Sequence, residues 1–566
     1  MHQDNQLEYS TVIKDLSVIE ELANKIDGEG KIILYGFNNN AITFFQYLNF
    51  LNKANILKCF VDNAETANVD SFFGYGVVSI CDFSEKYDGE IVLLASWNDR
   101  DGLTKNLINK GVPDDKIIWP YKNVSGIIDL PNNEHLNNHM SNDLDFVSKN
   151  PTKPKVTVVS IVYNTPPELL RRSIESILRQ TVPDFEFFII DNLIDDPKTL
   201  EIIQEYAKHD SRISLFSATD IYYENIKEEI INSKEKIAVI EENVENINEY
   251  YNCYGSGRIN ISDIKEVNKN QPRKLSFWGT NTIKSVLGRI RGDYVCVVDS
   301  DDYYKNDFLE YSIKKAVDNR AELVQVNCVN YPQDENVATP LSVGRWYLSE
   351  ENNLFRHEDI IKLYAIRVVP PTMWGKLYSK KLFHKACIFL SDQPNNLKYD
   401  FYAMYYVLSL CESLFYSNEV FYIRTLHSNQ FTNTNRYMKY TYKIHNLYAR
   451  YMTLKRIKNS LMRITKAPEI YIYSFGIEYM NRNLTLGSII ADINDHELSK
   501  SEIIKLDIIL DDEHTKNAFQ ADSASYNAYL SLNKLFHKEY LCSLKKWRKF
   551  IRVILRCFRN LRYGEK

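Results

Sequence analysis

The feature that most constrains the fold is a short apolar segment that ends in a group of acidic residues. Residues 295–298 are rich in β-branched side chains, which is typical of a buried strand, and Asp299, Asp301 and Asp302 follow directly. In open α/β sheets, ligands bind beyond the carboxyl ends of the strands. Crowded carboxylates repel one another unless a cation neutralises them, and carboxylate oxygens suit Mg²⁺ or Mn²⁺. The segment therefore predicts either a metal site at a sheet edge or a solvated acidic turn.

The bulk composition narrows the class of protein. A chain of 566 residues is too long for a single core, and its length predicts about three domains. The content of 44% hydrophobic and 25% charged residues is typical of a soluble globular protein. The net charge of -5 argues against a nucleic-acid-binding protein. The 9 cysteines are scattered without a zinc-ligand spacing, which indicates reduced thiols.

The sequence also predicts where the protein resides. Its first ten residues are polar and acidic, unlike a signal peptide, and no window approaches the run of about 18 apolar residues that a membrane span requires. We therefore expect a cytoplasmic protein, either free or peripheral on the inner face of the plasma membrane.

Residues 1–130 have the pattern of a small parallel sheet. Four apolar segments are typical of strands, at 31–35, 57–61, 90–95 and 116–119. Gly36, Asn38 and Ala41 stand where a dinucleotide-binding turn carries its glycines. Because Asn lets a pyrophosphate approach less closely than Gly, we expect a Rossmann-like accessory domain without a dinucleotide. A dinucleotide-dependent oxidoreductase is the weaker alternative.

The remaining chain divides into further units. Residues 131–154 are polar and Asn-rich with prolines near both ends, which is typical of a linker. Strands and helices alternate over residues 155–432, but residues 220–272 interrupt the rhythm with a segment rich in Glu, Lys and Asn. We interpret this segment as a partly helical insertion, either a solvated hairpin or a lid over an acceptor. Residues 433–542 have helical periodicity without an assignable motif.

Six short sequence motifs within residues 155–432 occur in a recognisable order. They are VVSIVYN (158–164), SIESILRQTVPDFEFFIIDN (173–192), GDYVCVVDSDD (292–302), MWGKLYSKKLF (373–383), YDFYAMYYVL (399–408) and YIRTLHSNQFT (422–432). In these motifs the chain resembles glycosyltransferase family 2, the inverting nucleotide-sugar transferases of GT-A fold. The resemblance covers residues 155–432 and implies a Rossmann-like mixed sheet flanked by helices.

The resemblance implies roles for the polar residues at the strand ends. Metal ligands for Mn²⁺ or Mg²⁺ are implied at Asp301, Asp302 and His427, where the metal offsets the charge on a leaving nucleotide diphosphate. Nucleotide-sugar contacts are implied at Val162, Tyr163, Asn164, Asp191, Asn192, Asn281, Asp299, Ser300 and Asp301. Asn192 stands where the family often carries an acid, and an amide can both donate and accept hydrogen bonds.

Inverting transfer also requires a general base to take the proton of the acceptor hydroxyl. The resemblance implies Asp400 in this role, although Tyr399 replaces the first acid of the family's usual pair. The alternative for Asp400 is an ordinary helix cap. Trp374 and Lys376 are implied on the acceptor side, and for Trp374 a place in the core is an equal alternative.

Residues 543–566 combine an apolar helical face with many basic side chains. A basic amphipathic helix of this kind binds anionic membrane surfaces. The alternative is a helix that docks on the protein and exposes its basic face.

Together these observations predict a hexosyltransferase-like, inverting, metal-dependent glycosyltransferase. It would move a sugar from a nucleotide diphosphate donor, expected to be UDP-linked, to a glycan or lipid-linked acceptor. The family and the basic tail place this reaction in the assembly of bacterial surface polysaccharide or lipooligosaccharide. The alternative of another class is a non-catalytic nucleotide-sugar-binding scaffold protein, which Asn192 and Tyr399 keep open.

Overall fold

The structure is a computed structural model of the chain. It describes residues 12–26, 30–62, 71–96, 99–123, 153–192, 194, 196–217, 286–332, 342–343, 346–351, 353–391, 400–427, 440–468 and 470–471. The predicted insertion at 220–272, the basic segment at 543–566 and nearly all of the predicted linker lie outside these residues.

The N-terminal unit is a three-layer α/β domain around a six-stranded sheet with the order β4-β5-β3-β2-β6-β7. All pairs except β4 with β5 are parallel. Its elements are β1 (Val12–Asp15), α1 (Leu16–Lys25), β2 (Ile32–Tyr35), α2 (Asn39–Phe50), β3 (Leu57–Asp62), β4 (Ser71–Phe72), β5 (Tyr75–Ser79), α3 (Phe83–Lys86), β6 (Ile91–Leu94), α4 (Arg100–Asn109), β7 (Ile117–Ile118) and β8 (Tyr121–Asn123).

The turn after β2 is capped by the chain itself. Gly36 has a φ of 92°, and Asn38 caps α2 by accepting hydrogen bonds from the main-chain N–H groups of Asn40 and Ala41. The Asn38 amide nitrogen also donates to the carbonyl of Ala95, at 3.3 Å. The Asn38 side chain therefore lies at the helix N-terminus, where a dinucleotide-binding domain would hold its pyrophosphate.

The larger unit is built on a mixed sheet that has ten strands among the described residues. The elements of this unit are β9 (Val156–Val162), α5 (Pro167–Leu178), β10 (Phe185–Asp191), α6 (Pro197–His209), β11 (Ile213–Ser217), β12 (Tyr294–Asp299), β13 (Tyr303–Tyr304), α7 (Phe308–Asn319), β14 (Leu323–Pro332), β15 (Ser342–Val343), β16 (Trp346–Tyr347), β17 (Leu354–Arg356), α8 (Glu358–Ala365), β18 (Lys376–Ser379), α9 (Lys380–Ser391), α10 (Asp400–Leu410), β19 (Ser413–Leu426) and α11 (Tyr440–Ile464). Strand β16 is not one of the ten strands, because it belongs to a separate three-stranded sheet.

The order of this sheet explains its mixed character. The main path is β11-β10-β9-β12-β18-β14-β19-β13. The first four strands are parallel, β18 is antiparallel to both neighbours, and β14 and β19 are parallel again. The strand predicted at residues 295–298 and the predicted alternation of strands and helices after residue 155 are confirmed, as is the predicted class of an α/β sheet flanked by helices.

Helix α5 shows how the pattern of the sequence produces these layers. Proline stands at its first turn, where the missing N–H costs nothing. Leu170, Ile174 and Ile177 follow the helical period and are buried against the sheet. The helix therefore covers one face of the parallel strands with its apolar side.

The two units are joined by a sheet that the sequence did not predict. Strand β1 pairs antiparallel with β8 and parallel with β16 of the larger unit. Across the same junction Phe44 packs edge-on against Trp346, and the buried Gln46 side chain donates to the carbonyl oxygens of Ile470 and Tyr471. The N-terminal unit is therefore packed against the larger one through a shared core rather than through surface contacts alone.

Helix length and composition also bear on membranes. Within the described residues, no helix is both long and apolar enough to cross a bilayer.

A close approach of two strands generates a prediction about Gly292, which precedes β12. A Cβ at this position would lie 2.4 Å from the main-chain nitrogen of Thr157 in β9. Because the obstacle is backbone, we expect Gly292→Ala to lower the free energy of unfolding by about 1–3 kcal/mol. Urea unfolding followed by circular dichroism measures this loss.

Gly288 provides the matched control. A Cβ there meets no heavy atom within 4 Å, and its φ is not positive. Gly288→Ala should change the stability by less than about 1 kcal/mol. Equal effects of the two substitutions would contradict the packing argument.

Candidate active site

The parallel strands bring their polar carboxyl ends to one edge of the sheet. Asp191 at the end of β10 pairs in register with Val162 at the end of β9, and Asp299 at the end of β12 pairs with Ile161. Tyr163 follows β9 directly. Three segments that are distant in sequence therefore converge at this edge.

Three carboxylates form an acid cluster at the end of β12, consisting of Asp299, Asp301 and Asp302. One ligand oxygen from each lies within 4.8 Å of the other two. The Nε2 atom of His427, just beyond β19, lies 3.0 Å from Oδ2 of Asp301. Asp299 is exposed and Asp301 is half-buried, whereas Asp302 and His427 are buried. The open side of the cluster is thus formed by Asp299 and Asp301.

Asp302 is held from behind by strand β19. The hydroxyl of Tyr422 donates to its Oδ2 at 2.6 Å, and the main-chain N–H of Thr425 donates to its Oδ1 at 2.8 Å. Burial raises the pKa of the Asp302 carboxyl well above its ordinary value, and the negative charges of Asp301 and Asp299 raise it further. Because both oxygens already accept hydrogen bonds, Asp302 anchors the turn on which the other two acids stand.

Aromatic side chains pack around Tyr422, which holds Asp302. The rings of Trp374 and Tyr422 are stacked with centroids 4.3 Å apart, and the Tyr304 ring meets Tyr422 edge-on at 4.9 Å. The Tyr304 hydroxyl accepts a hydrogen bond from the main-chain N–H of Gly375 at 2.8 Å. These contacts favour the core alternative for Trp374, and its predicted role on the acceptor side stays a prediction.

Helix α5 supports the acid turn with a polar face that sequence reasoning missed. Ser173, Ser176 and Gln180 each bond the main chain of segment 299–305, over distances of 2.8 to 3.3 Å. Their spacing of three and four residues places them on one side of the helix. That spacing is visible in the sequence, but it lies among the apolar positions Leu170, Ile174 and Ile177, whose helical period is the stronger signal.

The ends of β9 and β10 are shaped by side-chain bonds to the main chain. Asn164 has a φ of 37°, and its Oδ1 accepts from the N–H of Asp196 at 3.1 Å. Oδ1 of Asp191 accepts from the N–H of Ile194 at 2.8 Å. Asn192 is buried, and its amide oxygen has no hydrogen-bond partner among the described residues. This edge therefore presents a buried acceptor beside two ordered turns.

Two predicted residues are engaged within the protein. The Lys376 ammonium is buried and donates to the carbonyl oxygens of Pro370 and Thr372. The hydroxyls of Ser300 and Thr165 lie 2.6 Å apart, which ties the acid turn to the end of β9. Neither finding tests the predicted roles of Lys376 and Ser300, but both show what these side chains contact.

Two further predicted residues, Asp400 and Asn281, lie wholly or partly outside the described residues. Asp400 is the first residue of α10, and its side chain lies outside the described residues. Asn281 lies outside them entirely. The assignments of Asp400 as general base and of Asn281 to the donor stay predictions.

The donor set fits a divalent cation of the oxygen-preferring kind. It offers the carboxylates of Asp299 and Asp301 on the open side and the imidazole of His427 beside Asp301. Hard oxygen donors with at most one nitrogen suit Mn²⁺ or Mg²⁺. Excess negative charge on three neighbouring acids would be offset by such an ion.

Comparison with known proteins agrees with this geometry. Residues 157–219 and 281–385 match the model of the family described as Glycosyl transferase family 2. The matched segments contain β9 to β12 and β18, together with the whole acid cluster.

Two curated relatives carry the same kind of name. Over 61 residues, covering 11% of this chain and 21% of the relative, the chain is 48% identical to the uncharacterized glycosyltransferase MJ1057 of Methanocaldococcus jannaschii. Over 276 residues, covering 47% of this chain and 30% of the relative, it is 24% identical to glycosyltransferase GlyA of Streptococcus pneumoniae. The chain thus spans less than a third of the length of either relative.

Solved structures give distant likenesses. S. aureus TarS 1-349 in complex with UDP-GlcNAc matches with a TM-score of 0.37 and 13% identity, over 68% of this chain and 92% of that one. The mannosyltransferase PcManGT of Pyrobaculum calidifontis, in complex with GDP-Man and Mn²⁺, matches with a TM-score of 0.32 and 13% identity, over 70% and 90%.

The raised pKa of Asp302 predicts how stability depends on pH. Since the folded state binds this proton more tightly than the unfolded state, the contribution of Asp302 is fully present below a pH of about 4 and is lost as the pH rises through the raised value. We expect the unfolding free energy of the wild type minus that of Asp302→Asn to fall as the pH rises above about 4. Urea unfolding in EDTA at several pH values measures the difference.

Asp318→Asn supplies the baseline for removing one carboxylate, because Asp318 pairs with Lys314 on the surface. A difference for Asp302→Asn that stays flat, or that grows with pH, would argue against a strained buried acid.

Proposed function

Because this chain carries a glycosyltransferase family 2 domain, we propose that it transfers a sugar from a UDP-linked donor to a glycan or lipid-linked acceptor, with inversion at the anomeric carbon. The observation that carries the proposal is the acid cluster with His427 at the carboxyl edge of the sheet. The proposed setting is the assembly of bacterial surface polysaccharide or lipooligosaccharide, which the basic segment at 543–566 supports.

The donor nucleotide is proposed to lie across the ends of β9 and β10. Uracil presents one N–H between two carbonyl oxygens. An amide matches this pattern because it offers both an acceptor and a donor. The buried amide oxygen of Asn192, which has no partner among the described residues, supplies the acceptor. Asp191 and Asn164, held by their bonds to neighbouring main-chain groups, flank that position.

The diphosphate is proposed to lie at the acid cluster. Asp301 and His427 would hold Mn²⁺ or Mg²⁺, and Asp299 would face the ribose. When bound, the ion supplies positive charge to the diphosphate that leaves. Asp302 does not need to reach the ligand, because its bonds to Tyr422 and Thr425 set the position of the turn.

The chemical step is proposed to use Asp400 as the general base. The acceptor oxygen forms a bond to the anomeric carbon, and its proton passes to the Asp400 carboxylate. The bond from that carbon to the diphosphate oxygen breaks with its electron pair on the diphosphate. Attack from the side opposite the leaving group gives inversion. The support for Asp400 is its position in the YDFYAMYYVL motif.

Two substitutions test this division of roles. With a UDP-sugar and Mn²⁺, we expect Asp301→Ala and Asp400→Asn each to lower the rate of UDP release by about 10² or more. Asp301→Ala should also weaken the binding of UDP in Mn²⁺, whereas Asp400→Asn should leave it within about twofold. Coupled UDP-release assays and calorimetry separate the two effects.

Asp318→Asn, at a surface ion pair, is the control and should behave as the wild type. If wild-type protein binds UDP tightly but turns over no donor, the non-catalytic scaffold is the better description.

The basic segment at 543–566 generates a separate prediction. We expect removal of residues 543–566 to abolish cosedimentation with vesicles that contain anionic phospholipid, because the basic and apolar side chains of this segment are lost. Vesicles of neutral phosphatidylcholine are the control. Unchanged cosedimentation of the shortened protein would exclude this segment as the membrane contact.

A further inference from the structure

A buried arginine on α5 lies behind the acid cluster. Arg172 is 5% exposed, whereas its neighbour Arg171 is half-buried and pairs with Glu205 at 2.9 Å. A buried guanidinium is costly unless it is matched by hydrogen bonds and by negative charge. The position of Arg172 therefore requires a compensating interaction inside the domain.

That compensation comes from the segments that carry the site. Nη2 of Arg172 donates to Oγ1 of Thr425 at 2.7 Å, and the guanidinium lies over the Tyr303 ring at 4.6 Å from the ring centre. The main-chain N–H of Thr425 donates in turn to Asp302. One cationic side chain thus contacts both the residue that holds Asp302 and the residue that follows it.

The charge balance agrees with these contacts. Burial lowers the pKa of Arg172, and electrostatic interactions with Tyr303, Asp302 and Asp301 oppose that shift. The guanidinium is buried and lies over the face of the Tyr303 ring. A buried positive charge therefore contacts two residues that adjoin or hold Asp302.

We propose that Arg172 is a positioning residue for the acid cluster. By holding Thr425 and Tyr303, it fixes the turn from Asp299 to Asp302 so that Asp301 presents its carboxylate to the cation while Asp299 faces the ribose of the nucleotide. Arg172 itself touches neither ligand. This inference rests on the proposed function of the same site.

The experiment compares Arg172→Met with Arg171→Met in the full chain. Both remove a guanidinium from adjacent positions of the same helix, but only Arg172 contacts Thr425 and Tyr303. Calorimetry measures the Kd of UDP in Mn²⁺ and in EDTA for each protein. The ratio of the Kd in EDTA to the Kd in Mn²⁺ reports how much of the binding depends on the cation. Thermal unfolding reports whether the protein is folded.

We expect Arg172→Met to reduce this ratio at least tenfold, while Arg171→Met keeps it within twofold of the wild type. A purely structural role for Arg172 would lower the unfolding temperature and leave the ratio unchanged, and that result would overturn the inference. If Arg172→Met does not fold, Thr425→Val decides by the same ratio, because it removes the acceptor Oγ1 and keeps the main-chain bond to Asp302.

The wild-type protein separates this inference from the proposed function. If its UDP binding does not depend on Mn²⁺, both are overturned. If the wild type shows the dependence and both Arg172→Met and Thr425→Val retain it, only the role of Arg172 is overturned.

Discussion

The repulsion among three neighbouring carboxylates is the constraint on which the rest of the site depends. Asp299, Asp301 and Asp302 lie within 4.8 Å of one another through their ligand oxygens, and one of them is buried. Such an arrangement forms only where surrounding groups offset the cost. Hydrogen bonds from Tyr422 and Thr425 to Asp302 supply that support on the buried side. On the open side, a cation can supply it.

The supports of the cluster come from elements that are distant in sequence, and they reach the N-terminal unit. Tyr303 shares a small buried cluster with Ile13 of β1, Val329 of β14 and Ile423 of β19. Strand β1 thus contributes to the packing around the residue that follows Asp302. The N-terminal unit therefore has a structural connection to the site.

The part of the site that follows from local pattern could be predicted from the sequence. Strands ending in Asp191 and Asp299 had to bring these acids to one edge, since parallel neighbours align their carboxyl ends. Which of the three acids is buried and held by β19 could not be predicted in this way. Asp302 is distinguished from Asp301 by its burial and by its bonds to Tyr422 and Thr425 of β19, more than a hundred residues away, and such contacts leave no local signal.

Other features were hidden for similar physical reasons. The Lys376 ammonium donates to carbonyl oxygens of the segment that precedes β18. The local sequence does not distinguish such a buried lysine from one that faces a ligand. Arg171 and Arg172 are adjacent identical residues, and the local sequence does not show that only Arg172 is buried. The pairing of β1 with β16 joins segments more than three hundred residues apart, and a four-residue strand is too short to specify its partner.

The position of β19 also limits what a smaller fragment of the chain can do. The match to the family model ends at residue 385, but Tyr422, Thr425 and His427 all follow that point. A fragment that ends there would keep all three acids and lose the groups that hold Asp302 and contact Asp301. Such a fragment would retain the charge of the cluster without its support, because strand β19 supplies hydrogen bonds that no other described element makes to Asp302. The acid motif and the strand that organises it therefore act as one unit.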